Sequence, residues 1–179
     1  RPGPENNAGM PEQDMTTALS PANAERLKLA FQQCRDMDGS LREQLEAYAA
    51  AGREIFPAYG EAVDRLVARL RENGGGENAP RPGEAMPPFL LPDVTGRLVS
   101  LKSFTDRGPV AVMFYRGHWC PYCRLNVRAV IQAQDRISAL GAQTVAIMPE
   151  TQTYAEKFKS ESNAPFPVLT DLDNGYALS

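Results

Sequence analysis

Histidine and tryptophan occur once each in the 179 residues, and cysteine only three times. One His and three Cys leave too little material for a structural zinc site, so no metal is expected. The odd cysteine count also argues against the disulfide framework of a small secreted protein. Long apolar stretches are missing: the longest, Val110 to Tyr115, is far too short to cross a bilayer, and no membrane association is expected. Nothing near the N-terminus has the look of a secretory apolar segment. Positive charge is not in excess either, with 19 basic residues against 22 acidic ones and a net charge of -3. Nucleic acid and anionic surfaces are therefore not expected partners. With 42% hydrophobic and 23% charged residues the composition is ordinary for a globular protein, and the expectation is a soluble chain, cytoplasmic by default.

What is present falls into four stretches. Residues 1–19 are rich in Pro, Asn and Gly without an apolar period, which predicts a disordered lead-in. Residues 20–73 predict a helical extension. Ser20-Pro21 opens a first helix with Ala24, Leu27, Phe31, Cys34 and Met37 on one face. Ser40 with Glu43 forms a capping box for a second, whose stop is expected at Gly52. A third begins near Ala58, with Tyr59, Ala62, Val63, Leu66, Val67 and Leu70 on its apolar side. Residues 74–88 hold eight Gly or Pro out of fifteen and read as a linker. From there to Ser179 strands alternate with helices. A hairpin turns at Thr95-Gly96. The Val110–Tyr115 strand reads as covered on both faces, one helix spans Pro121 to about Leu140, and Thr144–Met148 is the next strand. Thr151 caps a short helix, and Val168-Leu169 starts another strand. That alternation predicts an α/β domain with a parallel sheet over 82–179. So few strands leave an open sheet edge, which reads as a domain truncated at its C-terminal end or completed by another chain.

The chemistry is expected at Cys120. Strand, loop and helix join through Phe114-Tyr115-Arg116-Gly117-His118-Trp119-Cys120-Pro121-Tyr122-Cys123. Cys120 therefore stands at the carboxyl end of a strand and in the first turn of a helix, with Pro121 at the first helical position. Free amide N–H groups and the helix dipole favour thiolate there. Arg107, Arg116, Arg124 and Arg128 add positive charge, and residues 107–134 contain no carboxylate. Cys123, one turn on, lies on the same side and can resolve an oxidised Cys120 into a disulfide. Arg116 and Arg124 are candidates for an electrostatic role or for a solvated face. His118 is either a proton carrier or a solvated loop residue, Trp119 a hydrophobic wall beside the sulfur, and Cys34 a packing residue.

These motifs carry a resemblance. From Pro82 the chain resembles the alkyl hydroperoxide reductase/thiol-specific antioxidant branch of the peroxiredoxins, within the thioredoxin-like fold. The matching residues are Pro82-Gly83, Phe89-Leu90-Leu91-Pro92-Asp93, Gly96-Arg97-Leu98-Val99-Ser100-Leu101, the Phe-Tyr-Arg-Gly and Trp-Cys-Pro-Tyr-Cys runs above, and Phe166-Pro167-Val168-Leu169-Thr170-Asp171. The resemblance implies reduction of hydrogen peroxide or organic hydroperoxides through a Cys120 sulfenic acid. A Cys120–Cys123 disulfide follows, reset by a thioredoxin- or glutaredoxin-type donor, without metal or organic cofactor. The sequence departs from that family where it usually has Pro seven residues and Thr or Ser three residues before the reactive Cys: Met113 and Gly117 stand there. Cys-Pro-Tyr-Cys is also a common glutaredoxin spelling. Two further functions are therefore carried alongside the peroxidase: a thiol–disulfide oxidoreductase, and a non-enzymatic redox sensor or binding module. The helical extension needs cover for its apolar faces, either from the domain or from a second copy in a homodimer.

Overall fold

The structure, a computed structural model, describes residues 20–77 and 79–178. The lead-in expected over 1–19 lies outside them. The chain divides into two compact units, 1–79 and 80–179.

The first unit contains helices α1 (Pro21–Asp36), α2 (Leu41–Ile55) and α3 (Pro57–Glu72). Ser20 caps α1 by accepting from the Asn23 N–H at 3.3 Å. The capping box at α2 is reciprocal: Glu43 N–H donates to Ser40 Oγ at 3.3 Å and Ser40 N–H to Glu43 Oε2 at 2.7 Å. Gly52 does not stop α2 as expected. The helix runs on to Ile55 and ends where Pro57 bars the helical conformation at Phe56, which adopts φ -135° and ψ 75°. Between α1 and α2, Phe31 meets Tyr48 edge-to-face with centroids 6.0 Å apart, and Tyr48 and Cys34 are buried. α3 approaches α2 tightly at Gly60, where an added Cβ would come within 2.8 Å of Arg53 Cγ. Beyond it, Asp64 to Glu72 are all exposed, so much of the expected apolar side of α3 (Tyr59, Leu66, Val67, Leu70) is uncovered.

In the second unit β1 (Leu90–Pro92) and β2 (Leu98–Ser100) form an antiparallel hairpin with Leu91 opposite Val99. Its turn is tied by Asp93 Oδ1, which accepts from the Thr95 and Arg97 N–H groups at 2.8 and 3.1 Å. After α4 (Leu101–Thr105) come β3 (Val110–Phe114), α5 (Pro121–Gln132), α6 (Gln134–Ala139), β4 (Gln143–Met148), α7 (Gln152–Ser162) and β5 (Val168–Thr170). The second sheet is parallel, in the order β3-β4-β5.

β4 is central, and its alternation separates two cores. Ala146 and Met148 join Val127, Ala155, Phe158, Phe166 and Val168 under α5 and α7. Val145 and Ile147 join Phe89, Phe104 and Leu169 on the opposite face. The full burial read into Val110–Tyr115 belongs to β4 instead: β3 is an edge strand, with Ala111 and Phe114 exposed. The single helix expected from Pro121 to Leu140 is also broken. At Ala133 the N–H is shared with the Val130 carbonyl in a tightened turn, and α6 sets off toward β4, where Gln134 Oε1 accepts from Thr144 Oγ1 at 3.2 Å. Thr151 occupies the N-cap position of α7, but its side chain makes no capping bond. Among the described residues no helix is long and apolar enough to cross a membrane.

The contrast between the two units is testable by denaturant unfolding. Ile147→Ala, at a site 1% exposed, should cost about 2–5 kcal/mol. Leu66→Ala, at a site 44% exposed, should cost under about 0.5 kcal/mol.

Candidate active site

Parallel strands present their carboxyl ends at one edge of the sheet. Cys120 follows β3, Glu150 follows β4 and Asp171 follows β5, so residues far apart in the chain meet at that edge. Backbone bonds hold the three exits in register: Tyr115 N–H donates to Ile147 O and Asp171 N–H to Met148 O, both at 2.9 Å.

Cys120 is the N-cap of α5, with extended backbone (φ -82°, ψ 112°) and Pro121 at the first helical position. Its sulfur accepts from the Cys123 N–H at 3.3 Å, the orphan amide that an N-cap side chain normally satisfies. Arg116 Nη2 donates to the same sulfur at 3.1 Å. Cys123 Sγ receives the Arg116 N–H at 3.4 Å. Both cysteines are free, buried thiols, Cys120 fully so.

The two sulfurs share a proton unequally. The Cys123 thiol donates to Cys120, and this bond, with the Cys123 N–H and the Arg116 guanidinium, lowers the Cys120 pKa to about 5 although burial opposes it. Cys123 is pushed up, first by holding that proton toward Cys120 and then by burial. At neutral pH Cys120 is the thiolate and Cys123 the thiol.

Arg116 is held by aromatic faces, its guanidinium carbon 5.4 Å from the Trp119 ring centroid and 6.0 Å from that of Tyr122. Trp119 is 60% exposed, so its ring covers the guanidinium while the sulfur is enclosed by the core around α5. Beside Arg116 a cavity of about 380 Å³ is lined by Phe114, Trp119, Met148 and Asn174, among others.

His118 lies between these groups. Its Nδ1 is 2.9 Å from Glu150 Oε1, and its N–H donates to the same oxygen at 3.2 Å. Its ring stacks on Tyr154 with centroids 4.4 Å apart, and its carbonyl accepts from Arg124 Nε at 2.8 Å. Arg124 also pairs with Glu161 at 2.5 Å, so it braces the loop and does not reach toward the sulfur. Gly117 has φ +152°, and a Cβ there would fall 2.4 Å from both Glu150 Oε1 and Trp119 Nε1. The structure thus brings Arg116, Pro121 and Cys123 to Cys120, places His118 and Arg124 in the support of the loop, and keeps Cys34 in the other unit. Glu150 and Tyr154 were not foreseen. The available signal was Glu150's place just past a strand end, on the edge where Cys120 also sits. Among the described residues no group of three or more His, Cys, Asp or Glu side chains could hold a metal ion.

A model of the AhpC/TSA family matches residues 82–178. The chain belongs to the AhpC/TSA family. Peroxiredoxin Q, chloroplastic, from Oryza sativa subsp. japonica is 34% identical over 92 residues, covering 51% of this chain and 42% of that protein. The peroxiredoxin Q, chloroplastic, of Sedum lineare is 33% identical over 92 residues, covering 51% of this chain and 49% of that protein. The crystal structure of peroxidoxin BcpB from Mycobacterium tuberculosis superposes with a TM-score of 0.52 at 25% identity, covering 54% of this chain and 62% of that one. The second unit accordingly has the thioredoxin-like fold of this family. The chain spans about half the length of the curated relatives it matches.

Removing the guanidinium tests the electrostatics. Arg116→Met should raise the Cys120 midpoint from about 5 by about one to two pH units, because one charged donor is lost while the Cys123 donors remain. The check is the pH dependence of alkylation, resolved to Cys120 by peptide mass. An unchanged midpoint would remove Arg116 from the site.

Proposed function

We propose that the chain carries the reactive centre of a thiol-dependent peroxidase acting on hydrogen peroxide or organic hydroperoxides. The observation that carries this reading is the Cys120 sulfur, a helix N-cap receiving Cys123 N–H at 3.3 Å and Arg116 Nη2 at 3.1 Å, with a protonated second thiol one turn away. The Cys120 thiolate attacks the terminal peroxide oxygen and the O–O bond breaks. The leaving alkoxide or hydroxide takes up a proton, and Cys120 becomes a sulfenic acid. The Cys123 thiol then condenses with it, forming the disulfide and releasing water. A dithiol donor of thioredoxin or glutaredoxin type returns both cysteines to the reduced state. The cavity beside Arg116 gives a hydroperoxide room near the guanidinium. Such a cycle needs a reducing compartment, and the cytoplasm is our assignment.

A second reading, thiol–disulfide exchange with little peroxidase activity, is favoured by one observation. Gly117 leaves no hydroxyl three residues before Cys120, and the Glu150 carboxylate fills that space.

Trp119 is the sole tryptophan and contacts Arg116, so its fluorescence should report oxidation of the centre. In stopped-flow mixing with hydrogen peroxide or an alkyl hydroperoxide, the signal should change far faster than free cysteine reacts. Cys120→Ser should abolish the change, and Cys123→Ser should accumulate a sulfenic acid that a dione reagent traps. A wild-type rate no faster than free cysteine would falsify the peroxidase and leave disulfide exchange.

A further inference from the structure

Glu150 enters the loop from the end of β4, 32 residues from its partner His118. Its side chain is only 9% exposed. One oxygen, Oε1, serves both the His118 ring at 2.9 Å and the His118 N–H at 3.2 Å. The same oxygen lies 2.4 Å from where a Gly117 Cβ would stand, so a side chain there would displace it. His118 is held on its other sides by Arg124 at its carbonyl and by Tyr154 against its ring. It stands in the segment that joins Arg116 to Cys120.

We propose that Glu150 is a positioning residue for the reactive cysteine: acting through His118, it sets the backbone path that aims Arg116 at the Cys120 sulfur. This rests on the thiolate reading of Cys120. A buried carboxylate is a poor choice if the site needed charge alone, because a second anion near a thiolate disfavours the thiolate. The groups facing Cys120 are Arg116 from the loop and Cys123 from α5. Those around Glu150 are His118, Tyr154 of α7 beyond the imidazole, and Asp171 and Asp173, which share a cavity wall with it past β5. The nearest guanidinium is that of Arg124 at the His118 carbonyl, and it is itself paired with Glu161. Charge and position therefore act on Cys120 with opposite signs. If Glu150 acts through position, moving its oxygen while keeping its charge raises the Cys120 midpoint, whereas removing the charge without moving the oxygen does not raise it.

Two substitutions separate the effects in the full chain. Glu150→Gln retains an oxygen at the same reach that accepts from His118, and removes the charge. Glu150→Asp keeps the charge and withdraws the oxygen by one methylene. The pH midpoint of Cys120 alkylation is read by peptide mass, with circular dichroism melting to compare folding. Glu150→Asp should raise the midpoint by about one pH unit, and Glu150→Gln should leave it within about half a unit or lower it. A loss of general stability alone would move the melting temperature without separating the two midpoints in this order. The reverse order, or two midpoints equal to wild type, would overturn the proposal. An ordinary midpoint in the wild-type protein would overturn the thiolate reading itself, and with it this proposal. A slow peroxide reaction beside a low wild-type midpoint would refute only the peroxidase.

Discussion

The whole arrangement depends on one sulfur accepting hydrogen bonds at the start of a helix. A thiolate buried without donors would take up a proton, since desolvation penalises the charged form. Cys120 escapes this because the first turn of α5 has amides with no intrahelical partner, and the N-cap position points its side chain at one of them. Pro121 costs nothing at the first helical position and presets the turn. The neighbouring thiol and the guanidinium then decide which of the two cysteines keeps the proton. Full burial of the sulfur and a low pKa are compatible only because every donor is in place before any substrate arrives.

Those donors are held by a chain of supports that widens away from the sulfur. Arg116 is fixed by Trp119 and Tyr122, and the loop between Arg116 and Cys120 by Glu150, Arg124 and Tyr154. Each support comes from a different element: Arg124 from α5, Glu150 from the end of β4, and Tyr154 from α7. The parallel sheet makes this convergence possible by sending β3 and β4 out at the same edge, and β4 is packed into a core on each face. Gly117 is the concession the loop makes, since only glycine accepts both the φ of +152° and the approach of the carboxylate.

What could be read from the residues was what is local. The Cys120-Pro121 start of α5, the Ser40–Glu43 box and the Cys-x-x-Cys spacing are each set within a few residues, and all appear in the structure. Cys34 too was placed correctly as a packing residue, because helical period alone puts it among Leu27 and Phe31. What failed needed neighbours that lie far away. Val110–Phe114 and Val145–Met148 look alike as apolar runs, and only the strand order makes the first an edge and the second a centre. Glu150 showed only its place just past a strand end, because its contact with His118 exists only once β3 and β4 pair. The exposed side of α3 has the same origin: periodicity identifies an apolar face, but not whether another element lies against it.

The unequal sharing of the proton also orders the last step of the proposed cycle. In a Cys120–Cys123 disulfide, the sulfur that leaves more readily is the one better stabilised as an anion. Cys120 has the N-cap amide and the guanidinium waiting for it, whereas Cys123 is driven toward the thiol. An incoming donor thiolate that attacks Cys123 therefore expels the good leaving group, and one that attacks Cys120 expels the poor one. Accessibility points the same way, because Cys123 retains 7% exposure and Cys120 none. In that proposed cycle, the asymmetry assigned to Cys120 as the attacking sulfur in the oxidative half also assigns it as the departing sulfur in the reductive half. One set of donors serves both directions because in each it stabilises the same anion.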